Sequence, residues 1–422
     1  MDLGRINNFE RTHETTLLEA VDRSPATLVV GPRQAGKSTL AQKLLETQPH
    51  WSSVTLDDPI ALNLATQSPQ EFLKTYEEPF VIDEIQRAPE LLRTLKLFID
   101  RNRQPGRFLL TGSANVLTLP KVSDSLAGRV EVIDLMPFTQ SEWERNPRFN
   151  LIETLFDRKF RPQLAGQKET DSEFAKRIVS GGFPDAKLRK TDSGQKAWYS
   201  SYVRSLLDRD IKDISQIEHV HAVYRLMQVI AIRAGQSLNT LGLARETGLP
   251  DTTLRRYLDH LSRLFLVQSI PPWLTMKDSR LLKAPKVVLS DSGLACHLMG
   301  LDHKSFFSDP DRCRSAIIGF VGNELQRHIG NFNADAGLFH LKTIRNKTVD
   351  LVLEHHDGRV IGFDISLLHA PDISMSEGLK YLAELTDQQF SGGFVLYLGE
   401  KIEPIGPRMW AVPYQILWSV PQ

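Results

Sequence analysis

The residues with the clearest chemical meaning in this sequence form the run Gly31-Pro-Arg-Gln-Ala-Gly-Lys-Ser38, followed by Thr39. An apolar stretch, 27–30, precedes the run, and a stretch with helical spacing, 40–45, follows it. A strand, a glycine-bounded loop and a helix are the context in which this spacing of Gly, Lys and Ser binds a polyphosphate. Loop N–H groups would point at the phosphates, Lys37 would reach the β- and γ-phosphates, and Ser38 would ligate Mg²⁺. We therefore predict a site for ATP and Mg²⁺ formed by Gly31, Pro32, Arg33, Gln34, Ala35, Gly36, Lys37, Ser38 and Thr39.

Two acidic residues, Asp83 and Glu84, end a second apolar strand that begins near Pro79. Asp83 would hold Mg²⁺ through water, and Glu84 would orient and polarise the water that attacks the γ-phosphate. A buried strand with a capped exit would explain the pair without any chemistry. The position of the pair after a phosphate loop, in an alternating α/β pattern, argues against that explanation.

Polar residues also follow the next apolar strand, 107–112. In an open parallel sheet the ligand crevice lies outside the carboxyl ends of the strands. Thr111 or Ser113 can therefore face the γ-phosphate, and Asn115 is a third candidate.

The composition narrows the class of protein. Lys and Arg balance Asp and Glu at 51 each, so no global field draws the chain to nucleic acid or membrane. The two cysteines, Cys296 and Cys313, lack metal-ligand spacing and suit a reducing compartment. No stretch has the length of a membrane helix, and the N-terminus lacks the apolar core of a signal peptide. We expect a cytoplasmic protein with no membrane partner.

Five runs of sequence carry a resemblance: GPRQAGKSTL, TLDDP, FVIDEIQRAPELL, LLTGSAN and SLAGRVEVIDLMPF. Together they resemble a prokaryotic family of AAA-like ATPases, over roughly the first 140 residues. Members carry a C-terminal domain of unknown function with winged-helix and restriction-endonuclease-like parts. The resemblance implies an α/β fold: an AAA-type P-loop NTPase with a parallel sheet and helical lid, then a winged helix and a nuclease-like α/β domain. The domains expected are 1–138, 139–215, 216–289 and 290–422.

The resemblance also implies roles beyond the phosphate loop. Ser113 or Thr111 takes the place of the γ-phosphate sensor of AAA-type ATPases. Arg129, just before the fifth strand, stands where such ATPases place the arginine finger that reaches a neighbour's nucleotide. Arg129 can instead cap the C-terminus of its own helix, a common role for a basic residue there. The finger implies a homo-oligomer, most simply a ring, with a hexamer favoured.

A helix-turn-helix is predicted between 237 and 267, with strands of a wing after it. The front of its second helix carries Thr252, Thr253, Arg255 and Arg256, where a DNA reader presents side chains to bases and phosphates. Residues 201–290 hold 13 Lys/Arg against 8 Asp/Glu, a local basic excess in a neutral chain. DNA is the partner favoured, although such modules also serve in packing and oligomerisation.

The last domain has the pattern of a degenerate nuclease site. Endonuclease-like domains use Asp, then Glu-x-Lys on the next strand, to hold Mg²⁺ and activate water. This chain has Asp350, then Asp364-Ile-Ser366, so a hydroxyl replaces the lysine. Lys342 or Lys380 is a candidate for a relocated lysine, and Glu324 on the preceding helix is expected nearby. We expect an inactive site formed by Glu324, Asp350, Asp364 and Ser366.

The function predicted is ATP hydrolysis by an AAA-type ATPase, with Lys37, Glu84, Ser113 and Arg129 as catalytic residues and Asp83 with Ser38 at the metal. Hydrolysis would drive the binding, remodelling or translocation of DNA by an oligomer. One alternative is a regulatory switch whose nucleotide state controls assembly or partner binding. The other is an ATP-regulated nuclease, which the missing lysine disfavours.

Overall fold

The structure is a computed structural model that describes residues 9–113, 128–164, 169–210, 220–273, 284–371 and 376–419. The chain divides into two compact units, Met1–Phe138 with Arg263–Phe265, and Thr139–Ser262 with Leu266–Gln422. The first unit has one sheet and the second has two, and each unit has its own hydrophobic core. The finer division into four domains stays a prediction.

The first unit is built on a five-stranded sheet in which all neighbouring strands run parallel. Its strands are Ala26–Val30 (β1), Ser52–Thr55 (β2), Phe80–Asp83 (β3), Phe108–Gly112 (β4) and Val130–Asp134 (β5). They lie in the order β2-β3-β4-β1-β5. Since all five run parallel, their carboxyl ends share one edge, where the predicted nucleotide site lies. The α/β fold with a parallel sheet is confirmed.

The helices of this unit are His13–Arg23 (α1), Lys37–Thr47 (α2), Pro59–Gln67 (α3), Pro69–Thr75 (α4) and Leu91–Arg101 (α5). A short 3₁₀ helix, Ile85–Arg87, follows β3. Strands β1 and β4 are buried along their whole length, as continuous apolar strands covered on both faces should be. Helix α5 buries a stripe formed by Leu91, Leu92, Leu95 and Ile99. Helical periodicity in the sequence predicts such a stripe.

The second unit begins with short helices, in the region predicted as a helical lid. They are Gln140–Trp143 (α6), Leu151–Phe156 (α7), Asp171–Ser180 (α8), Pro184–Lys187 (α9) and Asp192–Ser205 (α10), with a π-helical turn at Leu206–Asp210. The side chains of Thr139 and Thr170 each form a capping box with the glutamate three residues later. These boxes fix where α6 and α8 begin.

The next part of this unit has three helices, the last two joined by a short turn, and then a pair of strands. The elements are Val220–Ile232 (α11), Thr240–Thr247 (α12), Asp251–Arg263 (α13), Val267–Ile270 (β6) and Lys286–Leu289 (β7). Gly248 has φ +70° at the end of α12, a conformation that favours glycine. Strands β6 and β7 pair antiparallel.

The C-terminal part is a six-stranded mixed sheet with helices. Its elements are Ser292–Met299 (α14), Pro310–Asn331 (α15), Ala336–Lys342 (β8), Thr348–His355 (β9), Val360–Ile365 (β10), Glu377–Thr386 (α16), Phe390–Tyr397 (β11), Glu403–Gly406 (β12) and Met409–Pro413 (β13). The strand order is β12-β13-β11-β10-β9-β8. Strands β8, β9 and β10 pair antiparallel, whereas β10, β11 and β13 run parallel. Across the part of the chain that the structure describes, none of the helices combines the length and apolar character needed to span a bilayer.

Candidate functional site

The phosphate loop follows β1, between β4 and β5 of the first sheet, and leads into α2. A side chain at Gly31 would lie 2.1 Å from the carbonyl oxygen of Leu135, so only glycine fits there. Gly36, the residue before α2, has φ +102°, which L side chains rarely adopt. The loop therefore requires glycine at position 31 because there is no space for a side chain, and favours glycine at position 36 because of the backbone conformation.

The side chain of Arg11 supports the loop. Its Nη1 donates to the carbonyl of Ala35 at 3.1 Å, and its Nη2 donates to the carbonyl of Met136 at 2.7 Å. The guanidinium also stacks 4.2 Å from the centroid of the Phe138 ring. Arg11 thus ties the loop to the segment after β5. The sequence analysis missed Arg11, because it lies in an ordinary helical pattern outside any motif.

Lys37 is buried and lies against its own loop. Its Nζ donates to the carbonyl of Gly31 at 3.1 Å and to that of Pro32 at 2.9 Å. Both acceptors are neutral backbone oxygens of the same loop. The ammonium is therefore already held at the loop where the predicted phosphates would lie.

Ser38 and Asp83 form the centre of the predicted metal site. The Ser38 hydroxyl lies 3.2 Å from Oδ1 of Asp83 and 3.3 Å from Oδ2. The buried Thr111 hydroxyl also donates to Oδ1 of Asp83. One hydroxyl and one carboxylate suit Mg²⁺, which usually takes few protein ligands and completes its shell with water and phosphate oxygens. The residues present therefore fit the ion, with Ser38 and Asp83 to hold it.

Glu84 lies immediately after β3 in a left-handed conformation, φ 61° and ψ 42°. Its backbone N–H donates to the Thr111 hydroxyl at 3.2 Å. Its carboxylate accepts a hydrogen bond from Gln86, and Gln86 also contacts Ser113. Thr111 therefore binds Asp83 and Glu84, whereas Ser113 is the candidate sensor in contact with Gln86. Asn115 lies outside the described residues. Gln86 was missed by the sequence analysis, which assigned no role to the residues after Glu84.

Arg129 lies at the opposite end of the sheet from the phosphate loop. It directly precedes β5, whose first residue pairs with Ala26 at the start of β1. Along β5 the distance to the loop edge is about 13 Å. The guanidinium forms two hydrogen bonds with Asp100, at 2.7 and 3.0 Å, and these lower the pKa of the Asp100 carboxyl. At that end of the sheet the backbone of Arg129 is far from the phosphate loop of its own chain. The finger role stays a prediction.

The residues predicted to contact DNA lie on α13. Leu254, Tyr257 and Leu261 are buried, as the helix-turn-helix pattern predicts. Thr252, Arg255 and Arg256 are exposed, and Thr253 is half-buried. Arg255 also bonds to Asp251, one turn earlier, at 2.8 Å. The exposed face of α13 is therefore polar and carries two arginines, and DNA binding stays a prediction.

Asp350 and Asp364 meet on neighbouring strands of the C-terminal sheet. The Asp350 N–H donates to Oδ1 of Asp364, and the Ile365 N–H donates to Oδ2 of Asp350, both at 3.0 Å. Ser366 is buried, and its hydroxyl accepts from the Leu368 N–H at 3.1 Å. The two carboxylates predicted from the sequence therefore lie close together, and the Ser366 hydroxyl bonds to the backbone two residues later.

Two cations already compensate Asp350. Arg314 lies 2.6 Å from Oδ2, and Lys286 lies 3.6 Å from Oδ1 and donates to the Asp350 carbonyl at 3.0 Å. Burial acts to raise the pKa of Asp350, but Lys286 and Arg314 outweigh it and hold that pKa below its usual value. Burial and the charge of Asp350 raise the pKa of Asp364 well above its usual value.

The structure corrects two expectations about this cluster. Among the described residues, the lysine in contact with Asp350 is Lys286 of β7, rather than Lys342 or Lys380. Glu324 was expected near the two aspartates, but it lies away from them. It lies ten residues beyond Arg314 on α15, about 15 Å along the helix. There the buried Glu324 accepts from the Gln140 N–H at 2.8 Å and faces Arg327 at 3.5 Å. No group of three or more His, Cys, Asp or Glu suited to a metal occurs within the described ranges.

Comparison with known proteins identifies the parts of the chain. Residues 23–144 match a family described as an AAA domain. Residues 171–305 and 319–417 match two families described as domains of unknown function, DUF8612 and DUF4143 respectively. These matches confirm the resemblance to AAA-like ATPases with a C-terminal domain of unknown function.

The chain is also similar to individual proteins. Two uncharacterized proteins, from Mycobacterium tuberculosis and Mycobacterium bovis, are each 29% identical over 399 residues, which cover 94% of this chain and 82% of theirs. A Walker-type ATPase of Pyrococcus abyssi is 15% identical, with a TM-score of 0.42, over 69% of this chain and 95% of that chain. RuvB of Thermotoga maritima is 18% identical, with a TM-score of 0.31, over 61% of this chain and 88% of that chain.

Proposed function

We propose that this chain, which carries an AAA-type ATPase domain followed by a C-terminal domain of unknown function, binds ATP with Mg²⁺ and hydrolyses it. The observation that carries the proposal is the contact of Ser38 with both carboxylate oxygens of Asp83. A hydroxyl after the phosphate-binding lysine and a carboxylate at the end of a neighbouring strand are the two protein oxygens that nucleotide-bound Mg²⁺ requires.

Each residue of the site has one task in hydrolysis. The loop N–H groups and Lys37 bind the phosphates, and Thr39 extends this contact at the first turn of α2. Mg²⁺, when bound, neutralises charge on the phosphate oxygens. Glu84 accepts a hydrogen bond from the attacking water and orients it toward the γ-phosphate. Ser113 donates its hydroxyl to the γ-phosphate. Most of the rate gain would come from this positioning and charge stabilisation.

Hydrolysis would occur at an interface between subunits, with Arg129 of one subunit acting on the nucleotide of the next. A finger supplies positive charge as negative charge spreads over the transferred phosphoryl group. Arg129 would have to leave Asp100 to do so. The assembly we propose is a homo-oligomeric ring, with a hexamer favoured.

We propose that ATP hydrolysis drives the binding and remodelling or translocation of DNA. Helices α12 and α13 with strands β6 and β7 have the element order of a winged helix, and Arg255 and Arg256 are exposed on the second helix. Two exposed arginines at the front of such a helix suit phosphate contacts, which add affinity without sequence preference. The protein would act in the cytoplasm.

We assign the C-terminal sheet to a nuclease-like fold that does not cleave DNA. The assignment rests on the order of β8 to β11 and on the two aspartates at neighbouring strands. Lys286 and Arg314 already balance the charge that a metal ion would balance. A module that binds DNA or a partner without cutting it is the function that this arrangement favours over an ATP-regulated nuclease.

A regulatory switch is the second candidate function, and the contacts of Lys37 and of Arg129 favour it. Lys37 must leave two loop carbonyls, and Arg129 must leave Asp100, before each can act on a phosphate. Such contacts suit a protein whose nucleotide state controls assembly and whose turnover is slow. Under this alternative DNA would leave the hydrolysis rate unchanged.

The test is the ATPase rate with and without duplex, single-stranded and branched DNA, at low and high salt. The proposal predicts that at least one DNA stimulates hydrolysis, and that salt weakens the stimulation because phosphate contacts release counterions. Hydrolysis that no DNA changes would favour the switch, and Mg²⁺-dependent nicking of the DNA would favour the nuclease.

A further inference from the structure

Gln86 connects the two groups to which we assign the attacking water and the γ-phosphate. Its Nε2 donates one hydrogen bond to Oε2 of Glu84 and another to the hydroxyl oxygen of Ser113, at 2.8 Å. Its Oε1 accepts from the Ser113 N–H at 3.3 Å. The amide orientation follows from its partners, because a carboxylate only accepts and a backbone N–H only donates. Both polar ends of the amide are therefore in use.

The backbone around Glu84 brings these groups together. Glu84 adopts the left-handed conformation, in which a non-glycine residue is uncommon and which costs about 1 kcal/mol or more. The bond from its N–H to Thr111 holds this conformation, and the buried Ile85 anchors the 3₁₀ helix that follows. The chain therefore reverses after β3, and the side chain of Gln86 returns alongside Glu84 and the end of β4. An unusual backbone conformation beside a candidate site indicates a functional constraint.

We propose that Gln86 is a positioning residue for ATP hydrolysis, which holds the Glu84 carboxylate and the Ser113 hydroxyl in a fixed relation. The inference rests on the proposed hydrolysis at this site. Gln86 binds Oε2 of Glu84 and leaves Oε1 for the water. It also occupies an acceptor position of the Ser113 oxygen, so the hydroxyl hydrogen points elsewhere and is available to the γ-phosphate.

The arrangement couples phosphate recognition to water activation. A shift of Ser113 on contact with the γ-phosphate would move Gln86, which shares two hydrogen bonds with it. Gln86 would in turn move the carboxylate of Glu84. Displacement of a reacting group by about 1 Å can cost 10²-fold in rate, so a residue that fixes two such groups affects turnover more than binding.

The first test compares Gln86→Ala with Gln104→Ala, a matched change at an exposed glutamine of the same unit. We expect Gln86→Ala to lower kcat by about 10- to 100-fold and to leave KM for ATP within about 2-fold. Gln104→Ala should keep the parent values. Gln86→Glu, which keeps the side-chain size but places a second carboxylate against Glu84, should lose kcat as Gln86→Ala does. It also serves as the test if the alanine variant does not fold.

The second test is a double-mutant cycle with Glu84→Gln. Because Gln86 acts partly through Glu84 and partly through Ser113, Gln86→Ala should slow the Glu84→Gln protein at least about 3-fold less than it slows the parent. A purely structural role for Gln86 would instead multiply the two losses and overturn the inference. Gln86 variants with the parent kcat, in a protein that Glu84→Gln slows, would overturn it as well. If Glu84→Gln itself keeps the parent kcat, the proposed function fails, and this inference fails with it.

Discussion

The hydroxyl of Ser38 lies 3.2 Å from one carboxylate oxygen of Asp83 and 3.3 Å from the other. The two residues meet because α2 begins at the edge of the sheet where β3 ends. In a parallel sheet that edge holds the ligand crevice. The contact therefore follows from the topology, and it places one hydroxyl and one carboxylate where a nucleotide-bound Mg²⁺ would need them.

Complementation between two inactive variants tests the role of Arg129. Arg129→Ala removes the finger, and Lys37→Ala removes phosphate binding. A mixed oligomer can pair an intact loop from one subunit with an intact finger from another, so mixing the two proteins should restore part of the ATPase activity. Arg103→Ala is the control, because Arg103 also pairs with Asp100, at 3.1 Å. The Arg103→Ala protein should hydrolyse ATP without being mixed with a second variant. An active, strictly monomeric protein would contradict the prediction, and so would mixed oligomers without recovery.

Replacement of Arg255 and Arg256 by alanine tests the DNA interface. The double variant should bind DNA more weakly, and the slope of log affinity against log salt should fall by about 1 for each lost phosphate contact. ATP hydrolysis without DNA should change little. Arg93→Ala is the control, since Arg93 also pairs with an acidic residue on an exposed helix face, at 2.9 Å from Glu90. If the folded double variant binds DNA with the affinity of the parent, the role of α13 is packing rather than DNA binding.

The phosphate loop was predictable from sequence because the residues that form it are close together in the chain: two glycines, a lysine and a hydroxyl residue at fixed spacing. The contacts of Gln86 with Ser113 and of Lys286 with Asp350 were not, because they join residues 27 and 64 positions apart in sequence. Nothing local to Lys286 marks it as a partner of Asp350. Glu324 was placed with the aspartates by resemblance, but the length of α15 separates it from them.

The C-terminal cluster should not cleave DNA. An active site of this kind needs a metal ion and an ammonium group free to stabilise charge on the scissile phosphate. Here Lys286 and Arg314 already pair with Asp350, and Ser366 lies in the place of the lysine. We expect no nicking of supercoiled DNA with Mg²⁺ or Mn²⁺, with or without ATP. Metal-dependent nicking that disappears in Asp350→Ala would refute this.

The Asp364→Asn variant should have a higher free energy of unfolding than the parent, and the difference should grow as the pH rises. The raised pKa of Asp364 means that the folded chain holds a proton which the unfolded chain releases above a pKa of about 3.9. The free energy of unfolding of the parent should therefore fall with rising pH through this window, by about 1.4 kcal/mol per unit of pKa difference. Asparagine keeps an oxygen for the Asp350 N–H and does not titrate.

Thermal unfolding at pH 5 and pH 7.5 measures this effect. The variant should have the higher melting temperature at both values, with the larger difference at pH 7.5. Asp22→Asn, at an exposed aspartate, should show the same difference from the parent at both pH values. An Asp364→Asn protein that is less stable than the parent at pH 7.5 would show that Asp364 is charged in the fold.

The measurement that tests the central claim most directly is ATP binding and turnover by Glu84→Gln, beside Lys37→Ala. The claim is that Glu84 orients the attacking water while the loop binds the phosphates, so the two variants should fail at different steps. Glu84→Gln should bind ATP as the parent does and lose about 10²-fold or more in turnover. Lys37→Ala should lose tight ATP binding. A Glu84→Gln protein that hydrolyses ATP at the parent rate would contradict the account.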